Sequence, residues 1–255
     1  WDNMTSGTSN TLYDVTYGNS TFVATGASGN ILTSSDNGIS WDNRTSGTSN
    51  GLYAVYYGNS LFLTVGPSGT ILTSSDGTSW DNRSFGTSVS REITYGNSTF
   101  VVVGDSGKII TSSDGISWTS RTSGTSNLIW GVTFGNNTFV AVGASGNIMT
   151  SSDGISWDNR TSGTSNDLYR VTYGYEKFVA VGASGNIIRS TNNGTSWDNM
   201  TSGTANDLWG VTYGNNTFVA TGTSGNILTS SDYGISWDNR TSGTTNSLIE
   251  VTSQE

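Results

Sequence analysis

The residues of this sequence best suited to chemistry are aromatic, arginine and acidic side chains at two adjacent positions that recur about every forty residues. Aromatic rings and arginines dominate the hot spots of recognition surfaces, so these positions suit non-covalent binding. In chain order the pairs are Tyr13-Asp14, Tyr53-Ala54, Arg91-Glu92, Trp130-Gly131, Tyr169-Arg170, Trp209-Gly210 and Ile249-Glu250. The pairs differ from copy to copy while most neighbouring polar positions hardly change, which marks them as candidate ligand contacts.

A second variable position follows each pair by about fourteen residues. Asp105 stands where half of the copies have alanine, and Lys108 replaces the usual asparagine three residues further on. Both add a charge that a ligand could contact.

Other kinds of chemistry find little support in the composition. The chain has no histidine and no cysteine, so the commonest general base and the thiolate nucleophile are missing. Its Asp and Asn residues are scattered, whereas calcium needs six to eight oxygen ligands. We therefore predict no catalytic residues, no metal site and no cofactor.

Charge and hydropathy limit the classes of partner that the chain could bind. A net charge of −9 argues against nucleic acid, which requires clustered Lys and Arg. No apolar run is long enough to span a membrane, so we expect no membrane insertion. The absence of cysteine leaves the compartment open, with a secreted or cell-surface location slightly favoured.

The elements that position the variable pairs are tandem repeats. A tryptophan recurs at steps of 38 to 40 residues, giving six units over 1–236 and a partial seventh over 237–255. A period near forty is typical of stacked supersecondary units, so we predict one domain over 1–255. Because Trp1 falls in the middle of a repeat, we expect the chain to be a segment of something longer.

Each unit contains four short patterns of alternating apolar residues separated by glycine-rich turns. In the first unit they cover residues 12–17, 22–25 and 30–34, and a fourth starts at Trp41. Four short strands in forty residues are typical of a β-propeller blade. We therefore predict an all-β propeller of six blades with four antiparallel strands each; the alternative is seven blades, one of them incomplete.

Closure of the ring is left open by the sequence. Residues 1–6 match a fourth strand, and 237–253 match that same strand plus another first strand at Leu248–Thr252. One end is displaced, or a seventh blade is incomplete, or the surplus pairs with another chain through its open edge.

The turn before each tryptophan, Ser34-Ser35-Asp36-Asn37-Gly38-Ile39-Ser40-Trp41 in the first unit, resembles the Asp-box of sialidase-type propellers. It is also similar to the repeats of photosystem II assembly factors. Residues 230–237 keep the full spacing, while 74–80, 112–118 and 151–157 are one residue shorter. The resemblance implies that this box is a fold element remote from any active site.

A sialidase, as this resemblance implies, requires three clustered arginines and a Tyr–Glu pair. The arginines outside the repeated column are Arg91, Arg170 and Arg189, and the pair is Tyr175-Glu176. Arg170 and Tyr175 lie about 17 Å apart along one strand at roughly 3.3 Å per residue. We therefore expect a protein that is not an enzyme.

In a four-stranded meander the loop before strand one and the loop between strands two and three lie at the same end of the blade. Both variable sets should therefore surround one mouth of the central channel. Neutral drift is the alternative, and departures at the other end, such as Tyr175 and Tyr233, favour it. The predicted ligand-binding residues are Tyr13, Asp14, Tyr53, Arg91, Glu92, Asp105, Lys108, Trp130, Tyr169, Arg170 and Trp209.

The sequence therefore predicts a non-enzymatic binding or scaffold module. Its ligand would be a protein or peptide, or a glycan stacked on the aromatic rings. A third hypothesis is a purely structural repeat that forms homo-oligomers through its surplus half-unit.

Overall fold

The computed structural model describes residues 4–253, which form six four-stranded antiparallel sheets. Each sheet is a continuous stretch of chain, and its successive strands are hydrogen-bonded neighbours. The second strands of blades two to five are apolar on both faces because each of these blades is covered by a neighbour on either side. The prediction of an all-β, six-bladed propeller with four strands per blade is confirmed.

The blades are numbered in chain order. Blade one contains β1 (Leu12–Gly18), β2 (Thr21–Gly26), β3 (Ile31–Ser34) and β4 (Asp42–Arg44). Blade two contains β5 (Ala54–Gly58), β6 (Leu61–Val65), β7 (Ile71–Ser74) and β8 (Asp81–Asn82). Blade three contains β9 (Ser90–Gly96), β10 (Thr99–Gly104), β11 (Ile109–Ser112) and β12 (Thr119–Arg121). Blade four contains β13 (Ile129–Gly135), β14 (Thr138–Gly143), β15 (Ile148–Ser151) and β16 (Asp158–Arg160). Blade five contains β17 (Leu168–Gly174), β18 (Lys177–Gly182), β19 (Ile187–Ser190) and β20 (Asp198–Met200). Blade six contains β21 (Leu208–Gly214), β22 (Thr217–Gly222), β23 (Ile227–Ser230) and β24 (Asp238–Arg240).

The hydrophobic core is divided into five clusters, one between each pair of successive blades from one to six. In each cluster a phenylalanine and a tryptophan of the later blade meet valines and isoleucines of the earlier blade. Between blades three and four, for example, Phe139 and Trp157 pack with Val101 and Ile109. The repeated tryptophans of blades two to six therefore wedge neighbouring sheets together, as the spacing predicts.

The turn that precedes the tryptophan is held by an aspartate in all six blades except blade five, where Asn192 takes its place. Asp36 Oδ1 accepts a hydrogen bond from the Ser40 backbone N–H at 2.9 Å, and Ser34 Oγ accepts one from the Gly38 N–H at 2.9 Å. The Ser40 hydroxyl, the Ser40 backbone N–H and the Ser34 hydroxyl all donate to the charged carboxylate, and these bonds lower the pKa of Asp36 to about 2. The indole N–H of Trp41 donates to the Gly38 carbonyl at 3.0 Å, so the turn also orients the tryptophan side chain.

The segment predicted as a closing first strand, Leu248–Thr252, is not a strand in the structure. Residues 247–253 follow the path of a first strand beside β21, and the Leu248 N–H donates to the Gly222 carbonyl at 3.0 Å. They form no strand, because no second strand lies beside them within residues 4–253. Of the other predicted closing segment, residues 1–3 lie outside the described residues, and Met4 to Ser6 form no strand.

Candidate functional site

One end of the central channel opens into a cavity of about 320 Å³ whose walls are mostly aromatic. We call this cavity the aromatic bowl. It is lined by Tyr13, Tyr53, Arg91, Trp130, Tyr169, Arg170, Trp209 and Ile249. Seven of these eight residues belong to the predicted set, and each blade contributes at least one residue. The structure therefore brings the first variable position of all seven repeats into one cavity.

A β-bulge in five of the six blades positions these side chains. In blade four Ile129 pairs with Gly143 and Gly131 pairs with Val142, so Trp130 between them has no partner on β14. A bulge leaves one residue out of the ladder and re-aims its side chain. The residues placed at this position are Tyr13, Arg91, Trp130, Tyr169 and Trp209.

The alternating pattern of apolar residues does not reveal this bulge, but a glycine on the neighbouring strand accompanies it. In the five bulged blades the second strand ends in a glycine at the bulge, and a Cβ on Gly143 would lie 2.3 Å from the Leu128 carbonyl oxygen. Only glycine permits this close approach of two backbones. Gly66 of blade two makes the same close approach without a bulge, so this glycine alone could not have identified the bulge from the sequence.

The rings of the bowl contact one another in sequence around the mouth. Tyr169 stacks on Trp209 with ring centroids 4.2 Å apart and planes 16° from parallel. On its other side Tyr169 meets Trp130 edge-on, with ring centroids 5.7 Å apart. The Arg91 guanidinium lies 5.0 Å from the Trp130 ring centroid and 5.3 Å from that of Tyr53. These cation–π contacts join the two halves of the bowl into a preformed wall.

Asp105 and Lys108 lie beside the bowl and do not line it. Asp105 Oδ1 is 2.8 Å from Arg91 Nε, so this carboxylate holds the arginine between its two rings. Lys108 Nζ donates to the Ser88 carbonyl at 3.1 Å and to Ser90 Oγ at 2.8 Å. Together they line a separate cavity of about 290 Å³.

Below the bowl, four charged side chains meet in the channel: Asp14, Glu92, Arg170 and Glu250, which we call the channel cluster. Arg170 Nε lies 2.7 Å from Glu250 Oε2 and 3.0 Å from Glu92 Oε2. Asp14 accepts hydrogen bonds from the backbone N–H groups of Val15 and Val55, each at 2.7 Å. Arg170, only 16% exposed, is therefore the floor of the bowl rather than a free surface anchor.

One guanidinium cannot balance three buried carboxylates, and the pKa values reflect this. Burial raises the pKa of Glu92 to about 7, against the attraction of Arg170 and with the help of the Glu250 charge. Burial, followed by the charges of Glu92 and Glu250, raises the pKa of Asp14 well above its ordinary value. The cluster therefore retains protons at a pH where exposed carboxyl groups are ionised. Sequence reasoning noted Glu250 in the seventh pair but left it out of the predicted site.

The opposite end of the propeller carries a smaller aromatic feature. Tyr175 and Tyr233 stack with centroids 3.9 Å apart and are 50% and 40% exposed. Arg189 Nε donates to the Tyr233 carbonyl at 2.7 Å, so Arg189 lies at the other end from Arg91 and Arg170. The three arginines therefore form no cluster of the sialidase type.

Two kinds of feature are absent from residues 4–253. No helix there is long and apolar enough to cross a membrane. In the same range no group of three or more Cys, Asp or Glu side chains is arranged to hold a metal ion.

Comparison with known proteins relates the chain to other propellers by structure. No protein-family model and no curated protein matches it. Among solved structures, YCF48 bound to D1 peptide has a TM-score of 0.73 at 19% identity, covering 91% of this chain and 81% of that chain. YCF48 from Cyanidioschyzon merolae has a TM-score of 0.71 at 17% identity, covering 91% and 85%. The WD40 repeats of RRP9 have a TM-score of 0.75 at 8% identity, covering 95% and 82%. At these identities the likeness shows the β-propeller fold.

Proposed function

We propose that this chain is a non-enzymatic recognition module that binds a protein or peptide segment in the aromatic bowl. The observation that carries the proposal is the convergence of five aromatic rings and two arginines from six blades on one cavity of about 320 Å³. Rigid aromatic anchors with arginine are the usual centre of binding hot spots. No nucleophilic side chain with a neighbouring general base lines this cavity. The charged residue at its floor, Arg170, is already paired with Glu92 and Glu250.

Two further observations favour a peptide. The fold neighbour YCF48 was solved bound to D1 peptide, so a propeller of this shape can hold one. The cavity is also preformed, since ring contacts and the Asp105 ion pair hold Arg91 and its neighbours in place. Preformed pockets lose little conformational entropy on binding.

We further propose that the repeats belong to the Asp-box class, because Asp36, Ser40 and Trp41 make the internal bonds that such a box requires.

Peptides selected against the whole chain from a random display library test this function. We expect Trp209→Ala to weaken a selected peptide about 30-fold or more, the effect of losing roughly 2 kcal/mol at a hot spot. Isothermal titration measures the affinity, and Tyr175→Ala is the control because it removes an exposed ring at the opposite end. Equal affinity for wild type and Trp209→Ala, with selection favouring the Tyr175 end, would show that the bowl is not the binding site.

A glycan ligand is the second candidate, favoured by the aromatic walls, on which a sugar ring can stack. It predicts micromolar to millimolar affinity, on the order of −4 to −8 kcal/mol, and a change in tryptophan fluorescence during sugar titration. No binding across a broad glycan array would remove this candidate.

A further inference from the structure

Both arginines that line the aromatic bowl already have anionic partners within the chain. The Arg91 guanidinium donates to the Asp105 carboxylate from Nε at 2.8 Å and from Nη2 at 3.4 Å. Arg170 Nε is paired with two carboxylates of the channel cluster, and its Nη1 donates to the Tyr169 carbonyl at 3.2 Å. Since these donors are occupied, an acidic ligand would gain little from either arginine.

Two carboxylates beside the bowl have no cationic partner. Asp167 and Asp207 stand just before the first strands of blades five and six. The Oδ1 atoms of these aspartates accept the backbone N–H groups of Ser145 and Ser184, each at 2.8 Å. Within residues 4–253, no Lys or Arg side chain forms an ion pair with either aspartate. Their charges therefore add to the excess of carboxyl groups over guanidinium in the channel cluster.

Both of these aspartates act on a ring of the bowl. Burial, and then the charges of Asp207 and Asp167, raise the pKa of the Tyr169 hydroxyl above its ordinary value. Asp207 accepts the N–H of the residue that follows Ala183, and Ala183 is the blade-five counterpart of Asp105. A carboxylate therefore lies close to this ring, as Asp105 lies close to the arginine of blade three.

The chain supplies a cation to one half of the bowl only. Arg91 lies between the rings of Tyr53 and Trp130. The other half is lined by Tyr13, Tyr169, Trp209 and Ile249. Within the part of the chain that the structure describes, residues 4–253, no Lys or Arg group lies over the rings of that half. We call it, with Asp167 and Asp207 beside it, the anionic half. It combines the two features that hold Arg91, aromatic faces and a carboxylate, without a cation of its own.

We propose that the anionic half of the bowl binds an arginine side chain of the peptide partner, with the guanidinium on the aromatic rings and near the carboxylates of Asp167 and Asp207. This inference rests on the function proposed above and specifies the chemistry of its ligand. Cations are attracted to aromatic faces, most strongly where water is excluded. Arginine is preferred to lysine because its planar guanidinium is weakly hydrated and stacks on rings, as Arg91 does in the other half. An acidic side chain would instead approach carboxylates that have no cation.

Peptides selected against the whole chain from the random display library should be enriched in arginine. The probe is a selected arginine peptide that Trp209→Ala weakens. Replacing its arginine by citrulline, which has nearly the same shape but no charge, should weaken binding about tenfold or more, and replacing it by lysine about threefold or more. Isothermal titration measures both affinities. Because the protein is the same in each titration, no folding defect can produce the difference.

The complementary change is made in the protein. Asp167→Asn combined with Asp207→Asn keeps an oxygen for the two backbone N–H bonds and removes both charges. This double variant should weaken the arginine peptide about fivefold or more and the citrulline peptide less than about twofold. Asp158→Asn, which removes an exposed carboxylate on the outer strand of blade four, should change neither affinity.

Several results would overturn this inference and leave the bowl a peptide site. They are selection of bowl-binding peptides without arginine, citrulline or lysine peptides that bind as tightly as the arginine peptide, and equal losses of the arginine and citrulline peptides in the double variant. Failure of the proposed function gives a different result, because every selected peptide would then bind wild type and Trp209→Ala equally. The arginine site would fail together with the function in that case.

Discussion

Arg170→Ala is expected to lower the free energy of unfolding by about 3–5 kcal/mol at pH 7.5, the cost of removing one partner from a buried ion pair. The loss arises because Glu92 and Glu250 lose the guanidinium that lies 3.0 and 2.7 Å from them, and must then stay charged without a partner or take up protons in the channel. Urea denaturation of wild type and variant measures it. The matched control is Arg240→Ala, whose ion pair with Asp238 lies at the surface and should contribute less than about 1 kcal/mol.

The loss of unfolding free energy caused by Arg170→Ala should be smaller at acidic pH. The folded protein holds the Glu92 proton up to about pH 7, whereas the unfolded chain releases it near the ordinary value of 4.5. The native state therefore binds more protons in this window, and stability falls as the pH rises from 4.5 to 7. At pH 5 Glu92 is largely neutral, so we expect Arg170→Ala to cost about half as much there. A loss below about 1 kcal/mol at pH 7.5 would contradict a buried channel cluster.

Phe139→Ala should cost about 3–5 kcal/mol, and Phe22→Ala about half as much, although the two side chains occupy the same position in their repeats. Their surroundings within the blade match: Phe139 has Phe134 at 4.6 Å and Trp157 at 6.4 Å, and Phe22 has Tyr17 at 4.7 Å and Trp41 at 6.5 Å. They differ in that Phe139 is also covered by blade three, while Phe22 is partly exposed and belongs to none of the five interblade clusters.

Chemical denaturation of both variants, with the wild type as reference, measures this difference. Since the two substitutions remove the same atoms, the difference between them reports the cover supplied by a neighbouring blade. Equal losses would mean that blade six closes onto blade one in solution.

Much of the fold could be predicted from the sequence because each repeat contains its own strand signals. Alternation and glycine turns located β1 within a residue, and the repeated tryptophans indicated wedges between sheets. The predicted strand at Leu248–Thr252 failed because a strand needs a partner. That segment has the composition of β21 but no second strand beside it among the described residues.

The candidate site was predictable in outline but not in depth. Variation between copies indicated which position surrounds the mouth, since the fold is the same in every copy. It could not indicate that the bulge turns Tyr169 into the bowl while Arg170, the next residue, lies in the channel below. Nor could it separate Lys108, whose ammonium group is held by Ser88 and Ser90, from residues that line the cavity.

The chain's nine tryptophans allow the most direct test of recognition at the bowl. Indole ¹⁵N–¹H resonances are followed while a library-selected peptide is added to the whole chain. Binding at the bowl predicts that the resonances of Trp130 and Trp209 move together and saturate, while those of Trp118 and Trp157, wedged between blades, stay in place. Movement of Trp41 alone, which lines a different cavity between blade one and residues 247–250, or no movement of Trp130 and Trp209 at saturation, would contradict it.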